Sequence, residues 1–96
     1  MPAYLIVDVD LRDSAAYEAY KRDVPALIAR HGGEYLVRGG EHEVLEGDWR
    51  PHRLVLFRFP DRAAIRAFMA DPDYAPLKAL RQRIASTDAV AVDGIG

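Results

Sequence analysis

The chain has 96 residues, half of them hydrophobic and 29% charged, with a net charge of −2 and no cysteine. Its length predicts one domain, residues 1–96, because separate cores need on the order of 100 residues each. The composition excludes disulfides and thiolate chemistry, and without a basic block we expect no nucleic-acid partner. We expect neither a signal peptide nor a membrane span, which would need roughly 20 apolar residues, and therefore a cytoplasmic protein.

The first third of the chain predicts a strand followed by a helix. Ala3–Val9 is apolar at both alternations over most of its length, which is typical of a strand covered on both faces. A helical periodicity of apolar residues then begins at Tyr17 and ends at Gly32-Gly33, a natural C-terminal stop. Pro25 lies inside this helix and removes one backbone bond, which predicts a kink or a restart there.

The middle of the chain predicts a long hairpin. Glu34–Arg38 is the second strand, Val44-Leu45 suggests that it resumes, and Arg53–Phe59 is a strong third strand. Gly39-Gly40 interrupts the hairpin. We interpret this glycine pair as a bulge, and the alternative is a nest of backbone N–H groups that accepts an anion.

The last third predicts two helices and a strand. One helix follows Asp61, a second runs from Tyr74 to Ile84, and Asp88–Ile95 is the final strand. The order is βαββαβ with an extra short helix before the last strand. This order predicts an α+β, ferredoxin-like fold, in which helices cover one face of a four-stranded antiparallel sheet.

Strand alternation predicts a homodimer that forms through the other sheet face. The side chains assigned to the helices are Leu5, Val7, Val9, Val55, Phe57 and Phe59. The opposite alternation leaves an apolar set on the uncovered face: Tyr4, Ile6, Leu54 and Leu56. A soluble monomer rarely exposes a patch of this kind larger than a few hundred Å², and two sheets packed face to face would cover it.

Three charged side chains are placed by alternation on this same face. They are Asp8, Arg58 and, if the second strand keeps its alternation, Arg38. A charge on a covered face must be paired, because an unpaired one costs several kcal/mol. One interpretation is an ion pair between Asp8 and an arginine. Another is an anion site in which Arg38 or Arg58 holds a carboxylate or enolate, and a third is that the side chains are solvated.

Further candidates lie in the helices and the hairpin turn. His31 ends the first helix and is either structural or an acid/base group. Tyr74 and Arg81 share one side of the extra helix, either packed on the sheet or lining a cleft mouth with Arg38 and Trp49. Trp49 would serve as a lid, a dimer contact or a staple. The histidine spacing matches no metal-ligand motif, so no metal is expected.

Several segments together resemble a known family: AYLIVDVD, AYEAYKRDVPALIARHGG, YLVRGG, LEGDW and YAPLKALR. They resemble the family catalogued as domain of unknown function number thirteen-thirty, in the dimeric α/β-barrel superfamily. The resemblance implies a ferredoxin-like subunit that dimerises through its sheets, and no established activity. The resemblance covers two segments of unusual composition, Arg38-Gly39-Gly40 and Glu46–Trp49, and we expect a ligand there. The sequence does not decide on which face of the sheet Glu46 lies.

Two functions follow as hypotheses. The first is an enzyme without a cofactor that acts on a small anionic or aromatic metabolite, with Arg38 holding the anion and Asp8 or His31 handling a proton. The second is a non-catalytic binding or structural dimer whose charges are paired internally. An arginine that faces a cavity without a carboxylate partner favours the first hypothesis, and a paired arginine favours the second.

Overall fold

The structure is a computed structural model that describes residues 1–95. Its elements are β1 (Ala3–Leu11), α1 (Ser14–Arg30), β2 (Glu34–Arg38), β3 (Arg53–Phe59), α2 (Arg62–Met69), α3 (Ala75–Ile84) and β4 (Ala85–Asp93). The strands form one antiparallel sheet in the order β2-β3-β1-β4. This confirms the ferredoxin-like α+β fold with an extra helix before the last strand. Within the described residues no helix is both long and apolar enough to cross a membrane.

Helix α1 is one continuous element. Its N-terminus is capped by the side chain of Asp13, and it ends at Gly32, whose φ of 77° is the left-handed conformation that glycine adopts without strain. Both features follow from local residue chemistry, and the glycine stop is confirmed. The helix continues through Pro25, so the predicted restart is wrong. The proline leaves one carbonyl of the helix without its usual partner, and that carbonyl becomes important at the cleft.

The hairpin differs most from expectation. Strand β2 ends at Arg38 and does not resume at Val44-Leu45, because residues 39–52, all of them described, form an irregular loop. The bulge lies at Leu36, between residues that pair with consecutive positions of β3, and not at Gly39-Gly40. Strand β4 starts at Ala85, three residues before the predicted Asp88. Ala85 already has extended backbone angles, so the helix runs into the strand without a connecting loop.

The core lies between the sheet and the helices, as the alternation predicts. The main cluster joins the strand residues Ala3, Leu5, Val55, Phe57 and Phe59 to Val24, Leu27, Ile28, Ile65, Phe68 and Tyr74. A second cluster joins Val9 to Tyr17, Ile84 and Ala85. The apolar side chains of the opposite alternation, Tyr4, Ile6, Leu54 and Leu56, are only partly buried. Because burial of apolar area is the main stabilising term, the packing between the helices and the sheet holds the subunit together.

The other sheet face stays largely open. Leu36, Val37, Val90 and Val92 are between 37% and 60% exposed there. The loop of residues 39–52 reaches this face at one end of the sheet, where Trp49 and His52 contact Asp8. The molecule therefore has two distinct regions of interest: the space between helices and sheet, and the uncovered face with its loop.

Candidate functional site

A narrow cleft separates the helices from the sheet. The space between its lining atoms is about 570 Å³, open solvent at the mouth included, but only about 40 Å³ is wide enough for the centre of a water molecule. The floor is made by Leu5, Val7, Val9, Val55, Phe57, Thr87 and Ala89, and the helices contribute Tyr17, Tyr20, Lys21, Val24, Phe68, Met69, Tyr74 and Arg81.

Aromatic rings form much of the wall. Tyr17 and Tyr20 are stacked with ring centroids 5.3 Å apart, and Phe68 and Tyr74 lie 4.3 Å apart. Tyr35 projects from β2 against Phe57. Four of the five tyrosines of the chain line this cleft. Rings of this kind offer both flat apolar contact and hydroxyl groups to a ligand.

A hydrogen-bonded group of two tyrosines and an arginine lies in the cleft. The hydroxyls of Tyr20 and Tyr74 are 2.7 Å apart, and Nε of Arg81 donates to the Tyr74 hydroxyl at 3.4 Å. Burial, and next the nearby Tyr74, strongly raise the pKa of Tyr20, which therefore stays a neutral phenol. Arg81 is only 8% exposed, and no carboxylate of residues 1–95 pairs with it. A buried guanidinium without a carboxylate is complementary to an anion.

Arg38 lies at the cleft mouth, on the helix side of the sheet. The expectation that it shares a face with Asp8 is wrong, because the bulge at Leu36 exchanges the faces of the residues beyond it. Its guanidinium lies 4.6 Å from the ring centroid of Tyr35 and donates to the carbonyl of Lys21 at 2.8 Å. Pro25, four residues on in α1, has no N–H for that carbonyl, so the helix leaves it available to Arg38.

Arg53 is a second arginine at the mouth. It lies with its guanidinium carbon 5.7 Å from the ring centroid of Tyr17. A Cβ at Gly39 would overlap that guanidinium, and Gly39 also has a φ of 73°. The first glycine of the Gly39-Gly40 pair is thus required for turn geometry and for space beside Arg53. Gly40 has no atom within 4 Å of its Cβ position and no such role.

The charge of the cleft is one-sided. Lys21, Arg38, Arg53 and Arg81 line it, and within residues 1–95 no acidic side chain does. Lys21 pairs with Glu18 at 2.9 Å, and Glu18 lies with Arg38 and Arg53 around the adjoining surface opening. Within residues 1–95 neither of these arginines, nor Arg81, has a carboxylate within ion-pair distance. The cleft lining is thus positively charged although the whole chain carries a net charge of −2.

Asp8 lies on the uncovered sheet face and does not line the cleft. Its carboxylate accepts hydrogen bonds from the Trp49 indole at 3.2 Å and from the His52 backbone N–H at 2.8 Å. The predicted ion pair between Asp8 and an arginine is wrong, because the loop supplies the partners. Trp49 acts as the staple of that loop and is 59% exposed, so it does not share a cleft mouth with Arg38.

The remaining candidates are dispersed. Arg58 is exposed on the uncovered face, 3.9 Å from Glu34. His31 bonds to Asp71 at 2.8 Å and joins the end of α1 to the α2–α3 connection. Glu46 is exposed in the loop. Among residues 1–95, no group of three or more histidine, aspartate or glutamate side chains is arranged to hold a metal ion.

Most residues that line the cleft are absent from the predicted site, among them the polar residues Tyr20, Arg53 and Thr87. Arg53 shares the alternation of Val55 and Phe57, so its place on the helix side was readable from the strand pattern. Tyr20 lies on the apolar stripe of α1, where a tyrosine is more often packing than site. Thr87 precedes the predicted start of β4, and its face could not be assigned without the correct strand boundary.

Comparisons with known proteins identify a family and a fold. A family model described as "Domain of unknown function (DUF1330)" matches residues 2–95. RPA0582, a protein of unknown function from Rhodopseudomonas palustris, is 24% identical with a TM-score of 0.80, over 99% of this chain and 83% of that one. SnoaB, a cofactor-independent oxygenase from Streptomyces nogalater, is 14% identical with a TM-score of 0.66, covering 99% and 94%.

A third similar structure is a dimeric ferredoxin-like protein of unknown function from Jannaschia sp. CCS1. It is 12% identical with a TM-score of 0.65, and the match covers 98% of this chain and 100% of that one. No curated protein matches the sequence. At these identities the solved structures establish the fold and leave the reaction to be argued from the residues.

Proposed function

Because the chain belongs to the DUF1330 family of domains of unknown function, we infer its activity from its own residues. We propose that it binds a small anionic aromatic metabolite in the helix–sheet cleft. The observation that carries the proposal is a narrow, tyrosine-rich cleft lined by four basic side chains and, among residues 1–95, by no acidic one. The aromatic walls of the cleft suit a flat ring, and its basic side chains suit an anion.

Arg81 is the proposed anion-binding residue. It is buried and fixed by Tyr74, whereas Arg38 and Arg53 lie at the mouth. The mouth arginines would attract an anionic ligand, and Arg81 would hold it, with the tyrosine hydroxyl as a neutral donor beside the charge. Arg81 thus takes the anion-binding role that the sequence predicts for Arg38. Asp8 and His31, the predicted proton-transfer groups, do not line the cleft.

We extend the proposal to an enzyme that works without a cofactor. Arg81 and the Tyr20–Tyr74 pair would stabilise the negative charge of an enolate or phenolate that forms from the bound metabolite. The similar fold of SnoaB, described as a cofactor-independent oxygenase, is compatible with such chemistry on this scaffold. The neutral tyrosine hydroxyls would donate hydrogen bonds to that charge, and the proton that the metabolite releases would pass to water at the cleft mouth.

A thermal-shift comparison of benzoate with benzamide tests the binding proposal. The two probes have the same shape, and only benzoate is charged. We expect benzoate to raise the unfolding temperature and benzamide to have little effect, with the benzoate shift lost in Arg81→Met. Arg58→Met, which removes an exposed arginine on the opposite face, is the matched control and retains the shift. A benzoate shift that survives Arg81→Met contradicts the site.

A non-catalytic binding dimer is the second candidate function. It is favoured by the lining of the cleft, which within residues 1–95 contains no aspartate, glutamate or histidine to act as a base near neutral pH. Phenylpyruvate in D₂O separates the two functions, because it is an aromatic acid with an acidic C–H. An enzyme that stabilises the enolate replaces that proton by deuterium in an Arg81-dependent manner, whereas a binding protein shifts its unfolding temperature without exchange.

We also propose that the subunit forms a homodimer through the uncovered sheet face. Its exposed apolar side chains, Val90 at 60% among them, support this assembly, and the similar Jannaschia protein is described as dimeric. Val90→Glu adds a charge where the isolated subunit is exposed, so it should fold and sediment as a monomer. Ala67→Glu on the surface of α2 is the control and should stay dimeric. Wild-type protein that sediments as a monomer at micromolar concentration contradicts the proposal.

A further inference from the structure

Two buried side-chain polar atoms within residues 1–95 have no hydrogen-bond partner, and their residues lie in the same row of the sheet. They are Nε of Arg53 and the hydroxyl oxygen of Thr87. The sheet register places the two residues in one row, because Val9 of β1 pairs with Arg53 on one side and with Thr87 on the other. The three side chains therefore form a line across three strands, with an apolar residue between two polar ones.

This arrangement is unfavourable in the unliganded subunit. A buried donor or acceptor without a partner loses its hydration and gains nothing in return, so folded proteins contain few of them. Both atoms belong to residues that line the cleft. The cleft is therefore where a partner from outside the chain, either water or a ligand, can reach them.

Arg53 is also held in place with little freedom to find another partner. Its guanidinium lies over the ring of Tyr17, and the absence of a side chain at Gly39 leaves the space that it occupies. Thr87 is β-branched and sits in a strand, so its side chain has restricted rotamers. The row is thus a prepared donor and acceptor pair, which lowers the entropic cost of binding an oxygen atom there.

We propose that the row formed by Arg53, Val9 and Thr87 is a second polar subsite, which binds a hydroxyl or carbonyl oxygen carried on the ring of the ligand. This inference rests on the proposed function, in which Arg81 holds the anionic group. Arg53 donates from Nε to the ligand oxygen, and the Thr87 hydroxyl donates to it or accepts from it. The ligand class thereby narrows from aromatic acids in general to ring-oxygenated aromatic acids.

Isothermal titration calorimetry with benzoate, 3-hydroxybenzoate and 4-hydroxybenzoate tests the subsite. The quantity measured is the ratio of the hydroxybenzoate affinity to the benzoate affinity, for the better of the two isomers. In wild-type protein this ratio is expected to be about three to ten, the worth of one or two hydrogen bonds. Thr87→Val keeps the shape and removes the hydroxyl, and its ratio should fall towards one.

Two variants serve as controls. Thr87→Ser keeps a hydroxyl and should retain the ratio. Ser86→Ala removes a hydroxyl one residue earlier, on an exposed side chain that bonds to Arg12, and should also retain it. Without any ligand, Thr87→Val should unfold at the same or a higher temperature than wild-type protein, because it removes a buried hydroxyl that has no partner.

The outcomes separate the inference from the proposal on which it rests. If benzoate binds but the hydroxybenzoates gain nothing, or if their gain persists undiminished in Thr87→Val, the subsite is wrong and water alone fills the row, while the Arg81 site stands. If none of the three probes binds to wild-type protein, the proposed function fails and the subsite with it. A gain that depends on the Thr87 hydroxyl supports both.

Discussion

Replacing Asp8 by alanine should release the loop of residues 39–52 from the sheet. Asp8 is only 8% exposed, and its two carboxylate oxygens accept from the Trp49 indole and from the backbone of His52. Hydrogen bonds to a charged group contribute roughly 1.5–3 kcal/mol each. The Trp49 bond is long and its ring is largely exposed, so we count it near zero to the low end of that range. Asp8 also faces Asp88 directly across the sheet, and loss of that repulsion returns a few tenths of a kcal/mol.

The expected destabilisation is therefore about 1–4 kcal/mol, or a fall of roughly 5–30 °C in unfolding temperature for a domain of this size. Urea unfolding measures the free energy, and tryptophan emission reports the loop, because Trp49 is the only tryptophan in the chain. We expect a red shift in the folded variant. Asp88→Asn, which removes the facing carboxylate, should change stability by no more than about 0.5 kcal/mol. A similarly small loss in Asp8→Ala, with unchanged emission, refutes the role of Asp8 as the anchor of the loop.

Three further predictions concern single residues. Gly39→Ala should cost about 1–3 kcal/mol of unfolding free energy, because a side chain there is strained at φ 73° and overlaps Arg53. Gly40→Ala should be neutral within about 0.5 kcal/mol. Equal losses in urea unfolding would contradict the special role of Gly39. The raised pKa of Tyr20 keeps its phenol neutral in the folded state, so the folded protein loses stability once the unfolded phenol ionises above about pH 10. Tyr20→Phe should therefore lose less unfolding free energy than wild-type protein over pH 9–11, and parallel stability curves would exclude this. The hydrogen bond from His31, and further bonds from the Asp73 backbone and Arg30, lower the pKa of Asp71. Its stabilisation is present above about pH 4 and lost as the pH falls further, so Asp71→Asn should show a flatter acid unfolding curve, and an equally steep curve would contradict the network.

The fold was predictable because its signals are local and repeated. Strand alternation placed Leu5, Val55 and Phe57 on the helix side, and helical spacing placed the buried face of α1. Gly32 ends that helix for the stereochemical reason that its sequence position suggests. These features depend on backbone geometry and hydrophobic period, which a single sequence carries.

The site was only partly predictable, because its geometry depends on features of low local signal. One extra residue at Leu36 turned Arg38 from the uncovered face to the cleft, and no glycine marks that bulge. The partners of Asp8 come from a loop more than forty residues away in sequence. Of the two alternatives for Tyr74 and Arg81, packing holds for Tyr74, which is in the core, and both residues also line one cleft with Arg38. Trp49 does not share that cleft, because it contacts Asp8 on the other sheet face.

The most direct test of the central claim is chemical-shift mapping of ¹H–¹⁵N-labelled protein titrated with benzoate. An anion held in the helix–sheet cleft predicts saturable shifts at the amides of Tyr74, Arg81, Thr87 and Ala89, which line it. It also predicts no comparable change at Arg58 on the opposite face. Shifts that cluster around Arg58, or a spectrum that does not change at saturating benzoate, would contradict the cleft as the ligand site.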